Sequence, residues 1–281
     1  MVNLNDFKRQ KDFLVCVDSD GCAMDTMDIK HFNCFGPCMV EEWGLEEWKE
    51  EILKRWNEIN LYSMTRGINR FLGLAMALTE INQTYCKIEG IEEFDAWTKD
   101  AAELSNDALS KVIDSAEGPC FEKALSWSKK VNTGINALPD DAKKPYDGVK
   151  ECLEAAHIFA DVAVVSSANR EAVVEEWERC ALSDSVDVLC CQDAGSKAFC
   201  IETLKAQGYE ADHILMVGDA PGDKAAAEKN GVCYYPILVR HEGESWAELK
   251  ATGLEKFKSL DYRAYGEEKA RQFITNLGGE Q

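Results

Sequence analysis

Long apolar runs are missing from this chain: none approaches the roughly 18 residues that a membrane-spanning helix requires. Proline and glycine are sparse, at 6 and 19 of 281 residues, which excludes collagen-like repeats and wholesale disorder. Basic charge is in deficit, 31 Lys and Arg against 51 Asp and Glu, for a net −20. Such a surface repels phosphate backbones and anionic lipid, so neither a nucleic-acid nor a membrane partner is expected. The N-terminal stretch Met1 to Asp12 mixes charged and apolar residues and lacks the apolar core of a signal peptide, so a cytoplasmic protein is expected.

Cysteine, by contrast, is plentiful. Twelve cysteines without a secretion signal are expected as thiols, mostly packed as small hydrophobes. His31, Cys34 and Cys38 have a spacing that invites a zinc site, but no neighbouring C-x-x-C supplies a fourth ligand, and an ordinary loop is expected there. Apolar residues reach 46% of the chain, enough for a substantial core.

Five short apolar runs, Phe13–Val17, Asp161–Val165, Asp187–Cys191, His213–Val217 and Val232–Leu238, have the length and composition of strands buried on both faces. Segments of helical spacing separate the last four: Glu171–Leu182, Phe199–Ala206 and Lys224–Asn230. Alternating strand and helix predicts an α/β, doubly wound parallel sheet. The interval between the first two runs is far longer than a crossover needs. It reads as helical, with Leu45, Trp48, Ile52, Trp56 and Ile59 at three- and four-residue steps and further helices over Ile68–Leu78, Phe94–Leu104 and Phe121–Val131. Gly134, Pro139 and Pro145 read as a linker. The expected organisation is therefore a core of residues 1–24 and 145–281 with a helical domain, 25–144, inserted into it. The tail Ser245–Leu277 reads as one or two surface helices.

Polar residues gather where the strands end. Strand one runs into Asp18-Ser19-Asp20-Gly21, strand two into Ser166-Ser167, and past strand three comes Lys197; strand four runs into Gly218-Asp219-Ala220-Pro221-Gly222-Asp223. In an open parallel sheet these ends form the ligand crevice. Crowded carboxylates repel one another unless a cation holds them ionised, and oxygen-only ligation favours Mg²⁺. Lys197, the Ser166 hydroxyl and backbone N–H groups around Ser19–Gly21 would cradle a phosphoryl group. Two carboxylates in a D-x-D loop divide the labour between nucleophile and proton carrier.

The ordered set D-x-D, Ser, Lys and G-D-x-x-x-D resembles the haloacid dehalogenase-like (HAD) superfamily, in particular members with a helical cap inserted after the first motif, such as the phosphoglycolate phosphatase and β-phosphoglucomutase branch. The resemblance implies a Rossmann-like core, Asp18 as nucleophile, Asp20 as general acid/base, Ser166 and Lys197 as second and third motifs, and Asp219 with Asp223 as the fourth. It implies Mg²⁺ on Asp18, the backbone carbonyl of Asp20 and the fourth-motif carboxylates. It further implies that Asp25 lies near the cap hinge and that Pro145–Val149 is the return from the cap. Two positions depart from the pattern: Cys22 stands where Thr or Val is usual, and Ala198 rather than Pro follows Lys197.

Asp20 favours phosphate-ester chemistry over a dehalogenase, which needs no second Asp, and over a phosphonatase, which would have a small residue there. The expected activity is hydrolysis of a small phosphorylated metabolite. A phosphosugar mutase uses the same core, and a phosphorylatable signalling module also gathers Asp, Ser and Lys around Mg²⁺, though without so long an insertion. In the insertion, Arg66 and Arg70 are candidates for gripping an anionic leaving group, against a plain solvated helix face. His213 is expected to be structural and His241 to lie in a loop. Trp43, Trp48 and Trp56 are expected in the core of the insertion.

Overall fold

Runs of Val, Leu and Cys bounded by polar residues have nowhere to satisfy both faces except inside a sheet covered on both sides. That is the outcome in the computed structural model of the chain, which describes residues 1–116 and 118–279. Among the described residues eight strands form: β1 Val2–Asn3, β2 Phe13–Val17, β3 Met24–Asp25, β4 Lys144–Pro145, β5 Ala160–Val165, β6 Val188–Cys190, β7 Ile214–Gly218 and β8 Cys233–Pro236. Six make a sheet in the order β1-β6-β5-β2-β7-β8, every pairing parallel. The strand order reverses about β2: the chain builds outward through β5 and β6 on one side, then returns to place β7 and β8 on the other. Crossovers diverging from β2 in this way open a crevice at its carboxyl end.

By contacts the chain divides into two units, Met1–Met27 with Asp140–Gln281, and Asp28–Pro139. In the first, β3 and β4 pair antiparallel, Met24 with Pro145 and Asp25 with Lys144, where the insertion leaves and re-enters the sheet unit. The segments between strands are helical: Val149–His157, Arg170–Arg179, Lys197–Lys205 and Pro221–Asn230. Asn169 and Ser196 cap two of these through their side chains, and Gly148 (φ +85°) and Gly231 (φ +66°) supply left-handed bends.

Three features of this unit differ from the sequence reading. A two-residue edge strand, β1, pairs with Val188 and Leu189; so short and exposed a pairing carries no periodicity. The tail is helical as expected, in Glu242–Glu248, Leu254–Lys258 and Arg263–Asn276, but it is no mere surface appendage: Trp246, Leu249, Phe257, Tyr262 and Phe273 are all buried and complete the apolar layers of the sheet unit. His213 closes a short helical turn before β7, its ring 4.4 Å from that of Phe13.

The second unit is helical throughout its regular elements among the described residues, with Gly36–Trp43, Lys49–Leu61, Arg70–Thr84, Ile91–Asp100, Asn106–Val112 and Cys120–Asn136 as its α-helices. Trp56, Trp127, Phe71, Phe94 and Phe121 fill its centre, while Trp43 and Trp48 are partly buried against it. Gly134 is not in a linker but in the last turn of Cys120–Asn136, where a Cβ would stand 3.1 Å from Cys34 Sγ; the glycine serves close packing. The loop expected around His31 is likewise helical, a wide turn His31–Phe35 running on into Gly36–Trp43. His31 Nδ1 accepts the Trp56 indole N–H at 3.0 Å, so that nitrogen's lone pair is already engaged. All twelve cysteines are thiols. No helix among the described residues is long and apolar enough to cross a membrane.

Candidate active site

Register sets the site. Val17 pairs with Val164 on one side and Val217 on the other, so β2, β5 and β7 end within one residue of one another. Asp18 follows β2, Ser166 follows β5, and Asp219 follows the last residue of β7. Lys197 opens the helix after β6, and Asp223 sits in the first turn of Pro221–Asn230.

Lys197 is the hub. Its Nζ lies 2.7 Å from Asp18 Oδ2 and 2.5 Å from Asp223 Oδ1, with the three side chains 15%, 9% and 0% exposed. The other Asp18 oxygen accepts the Ser19 backbone N–H at 2.8 Å. Asp223 Oδ2 accepts the Ala220 N–H at 3.0 Å, tying the turn that carries Asp219 to the helix it starts. Gly218 makes room for this: a Cβ there would fall 2.3 Å from Asp223 Cγ.

Asp18, Asp219 and Asp223 each bring a carboxylate oxygen within 4.8 Å of the others; among the described residues this is the one group of three or more ligand-bearing side chains placed to share an ion. Three buried carboxylates beside one ammonium leave an excess of negative charge. The electrostatics register it: burial pushes the Asp18 carboxyl up to about 8, Lys197 pulls the other way, and Asp223 and Asp219 add to the rise. For Lys197 burial alone would favour the neutral amine, but Asp18 and Asp223 outweigh it and hold the ammonium charged. Hard oxygen donors clustered in this way fit a divalent cation.

Asp20 is half-buried and its Oδ1 accepts the Thr26 hydroxyl at 2.6 Å. The Asp18–Met24 loop closes on itself: Gly21, at φ +80°, donates its N–H to Met24 C=O at 2.9 Å, and Met24 returns its N–H to Ser19 C=O at 2.8 Å. The Ser19 and Gly21 amides expected to face phosphate are therefore hydrogen-bonded inside the loop, because the chain must turn back sharply toward β3. Ser19 is fully buried and its hydroxyl accepts the Trp177 indole N–H at 2.9 Å. Ser166 Oγ, buried, accepts the Ala168 N–H at 3.1 Å, while Ser167 is exposed.

The two candidate arginines of the insertion make hydrogen bonds within the helical unit. Arg66 is 2% exposed and donates to Leu61 C=O at 2.8 Å. Arg70 donates to Ser128 Oγ and Asn132 Oδ1, at 3.0 and 2.7 Å, and lies over the Phe35 ring. Neither is a solvated helix face. His241 precedes the helix Glu242–Glu248 and pairs with Glu244 at 2.9 Å. Sequence reasoning did not find Thr26 or Trp177. A buried tryptophan implies a partner for its indole N–H, but spacing alone names no partner 158 residues away.

A family model described as haloacid dehalogenase-like hydrolase matches residues 77–236, more than half of the chain, including Ser166, Lys197, Asp219 and Asp223. No functionally curated protein matches the sequence significantly. Among solved structures, a provisionally named phosphoglycolate phosphatase from Lactobacillus delbrueckii subsp. bulgaricus aligns at 13% identity over 82% of this chain and 87% of its own, with TM-score 0.50. A haloacid dehalogenase-like family hydrolase from Streptococcus pneumoniae aligns at 11% identity over 83% and 90%, with TM-score 0.48. A provisionally named β-phosphoglucomutase from Thermotoga maritima aligns at 16% over 88% and 97%, with TM-score 0.48.

Proposed function

Because the chain belongs to the haloacid dehalogenase-like hydrolases, we propose that it is a Mg²⁺-dependent phosphomonoesterase acting on a small phosphorylated metabolite through Asp18. One observation carries the proposal: the Lys197 ammonium holds Asp18 and Asp223 on either side of itself, in a buried cluster that Asp219 completes. Asp18, Asp219 and Asp223 would hold the cation, which when bound neutralises charge on the phosphoryl oxygens.

The chain's own groups do the rest. Lys197 stabilises the Asp18 carboxylate and presents positive charge to the incoming dianion. Asp18 attacks phosphorus; an oxygen–phosphorus bond forms to its carboxylate as the ester bond to the leaving alcohol breaks. Asp20, oriented by Thr26, gives its proton to the departing oxygen. Ser166 accepts one backbone N–H, which leaves its own hydroxyl hydrogen to donate to a phosphoryl oxygen. Asp20 then takes a proton from water as that water attacks phosphorus, releasing inorganic phosphate and restoring Asp18. The net change is ester plus water to alcohol plus phosphate. Twelve unpaired thiols support a reducing, cytoplasmic setting.

The test is a panel of phosphorylated metabolites with purified protein and Mg²⁺, read by phosphate release. Turnover of at least one ester, lost on chelation and lost in Asp18→Asn, is expected. No phosphate release from any ester, or full activity in Asp18→Asn, would overturn the proposal; an isomerised sugar phosphate would make the protein a mutase.

A further inference from the structure

Three aromatic side chains donate hydrogen bonds to the loops that carry the acidic residues. Trp177 reaches Ser19 Oγ, Tyr234 Oη reaches the Gly218 carbonyl at 3.0 Å, and Trp246 Nε1 reaches the Cys22 carbonyl at 2.9 Å. Trp246 differs from the other two in origin, since it lies beyond residue 236, where the family match ends. It is 1% exposed and Cys22 is fully buried, so the carbonyl needs a donor from the protein.

The tryptophan is itself held firmly. Tyr235 Oη donates to Ser245 C=O at 2.8 Å, and Ser245 Oγ accepts the Leu238 N–H at 3.0 Å while donating to His241 C=O at 2.8 Å. On the other side, the loop is closed by Gly21 to Met24, Cys22 to Ser19 and Met24 to Ser19 backbone bonds, and the Cys22 thiol leans on Val217 C=O at 3.6 Å. A loop closed this way shifts as a piece. A restraint on Cys22 is thus a restraint on Asp20, two residues away, and on the tip of β2.

We infer that Trp246 is a positioning residue: its hydrogen bond to the Cys22 carbonyl fixes the aim of Asp18 and Asp20, which makes the helix Glu242–Glu248 part of the working site. The kinetic consequence rests on the phosphomonoesterase reading; the effect on the loop does not.

Trp246→Phe keeps most of the ring and removes the donor. The expected result is a kcat lowered about tenfold with KM within about twofold, as for an interaction that matters most in the transition state. In the metal-free protein, amide exchange should accelerate at Gly21, Cys22 and Met24 but not in β2. Phe257→Leu is the control, because Phe257 is buried against Phe13 at the opposite end of β2. It should lower thermal stability without changing loop exchange or kcat. Unchanged loop exchange in Trp246→Phe, or a kcat that falls equally in the control, would overturn the inference. If no ester is turned over by the wild type, the functional reading fails, and loop exchange alone decides the role of Trp246. Should Trp246→Phe not fold, Tyr235→Phe, which frees Ser245 C=O, should accelerate exchange at the same three amides; no acceleration there overturns the inference equally.

Discussion

Lys197 Nζ lies 2.7 Å from Asp18 Oδ2 although the two residues are 179 positions apart, and the same ammonium reaches Asp223 on its other side. Its replacement by Met should leave the two buried carboxylates of Asp18 and Asp223 without the ammonium between them. Breaking a buried ion pair on one side costs about 3–5 kcal/mol. A large drop in melting temperature without metal, partly recovered with Mg²⁺, is expected, with activity lost in both conditions. Melting curves with and without chelator check this; unchanged stability in chelator would contradict it.

Asp18→Asn should behave in the opposite sense. It removes one of three crowded negative charges and keeps the side chain's shape, so the metal-free protein should melt no lower than the wild type. Turnover should fall by at least about 10³-fold, since an amide cannot serve as the nucleophile. Paired melting and phosphate-release measurements separate the two effects.

The pH dependence follows from the raised Asp18 carboxyl. Burial pushes it up to about 8 from its ordinary value of 3.8. A group that holds its proton more tightly when folded stabilises the fold fully below its unfolded value, and that contribution is lost as pH rises through the folded value. From this group, metal-free stability should therefore decline between pH 3.8 and about 8. A cation competes with the same proton, so Mg²⁺ affinity should rise across that window and binding should release a proton. Calorimetry in two buffers of different ionisation enthalpy measures the release; identical heats in both would count against it.

Gly218→Ala tests the packing behind the cluster. The added Cβ would meet the fully buried Asp223 side chain at 2.3–2.4 Å, so that carboxylate must move off Lys197. A loss of about 1–3 kcal/mol is expected from the overpacking, together with weaker Mg²⁺ binding. Denaturant titration and metal titration of the same sample check both.

Thr26→Val probes the role proposed for Asp20 as proton carrier. It keeps the shape and deletes the hydroxyl that donates to Asp20 Oδ1. The expected outcome is a kcat reduced about tenfold with little change in KM, because an acid that has lost one of its hydrogen bonds is misaimed rather than absent. Steady-state kinetics on any ester the protein hydrolyses would show it; an unchanged kcat would mean that Thr26 does not aim Asp20.

The parallel sheet and five of its six strands were legible because strands buried within a sheet must be short, apolar and bounded by polar residues. Phe13–Val17 and Ala160–Val165 satisfy that rule without any help from elsewhere. The helices of the insertion were legible where one face repeats, as with Ile52, Trp56 and Ile59. Gly134 and the His31 turn were not, because a glycine and a histidine signal a break only if nothing packs on them, and Cys34 and Trp56 do. The burial of the tail's apolar residues was not legible for the same reason: Trp246 and Phe257 meet their partners only across the fold.

Residue order alone fixed which groups stand at strand ends, since a chain that buries Val17 and Val217 in register has no choice but to bring Asp18 and Asp219 to the same edge. What folding added was the pairing among them. That Lys197 bridges Asp18 and Asp223, that Gly21 turns its amide inward, and that Arg66 and Arg70 bond within the helical unit all depend on side chains brought together from distant segments. Periodicity and spacing describe a chain's neighbours along one dimension, and hydrogen bonds and ion pairs are settled by neighbours in three.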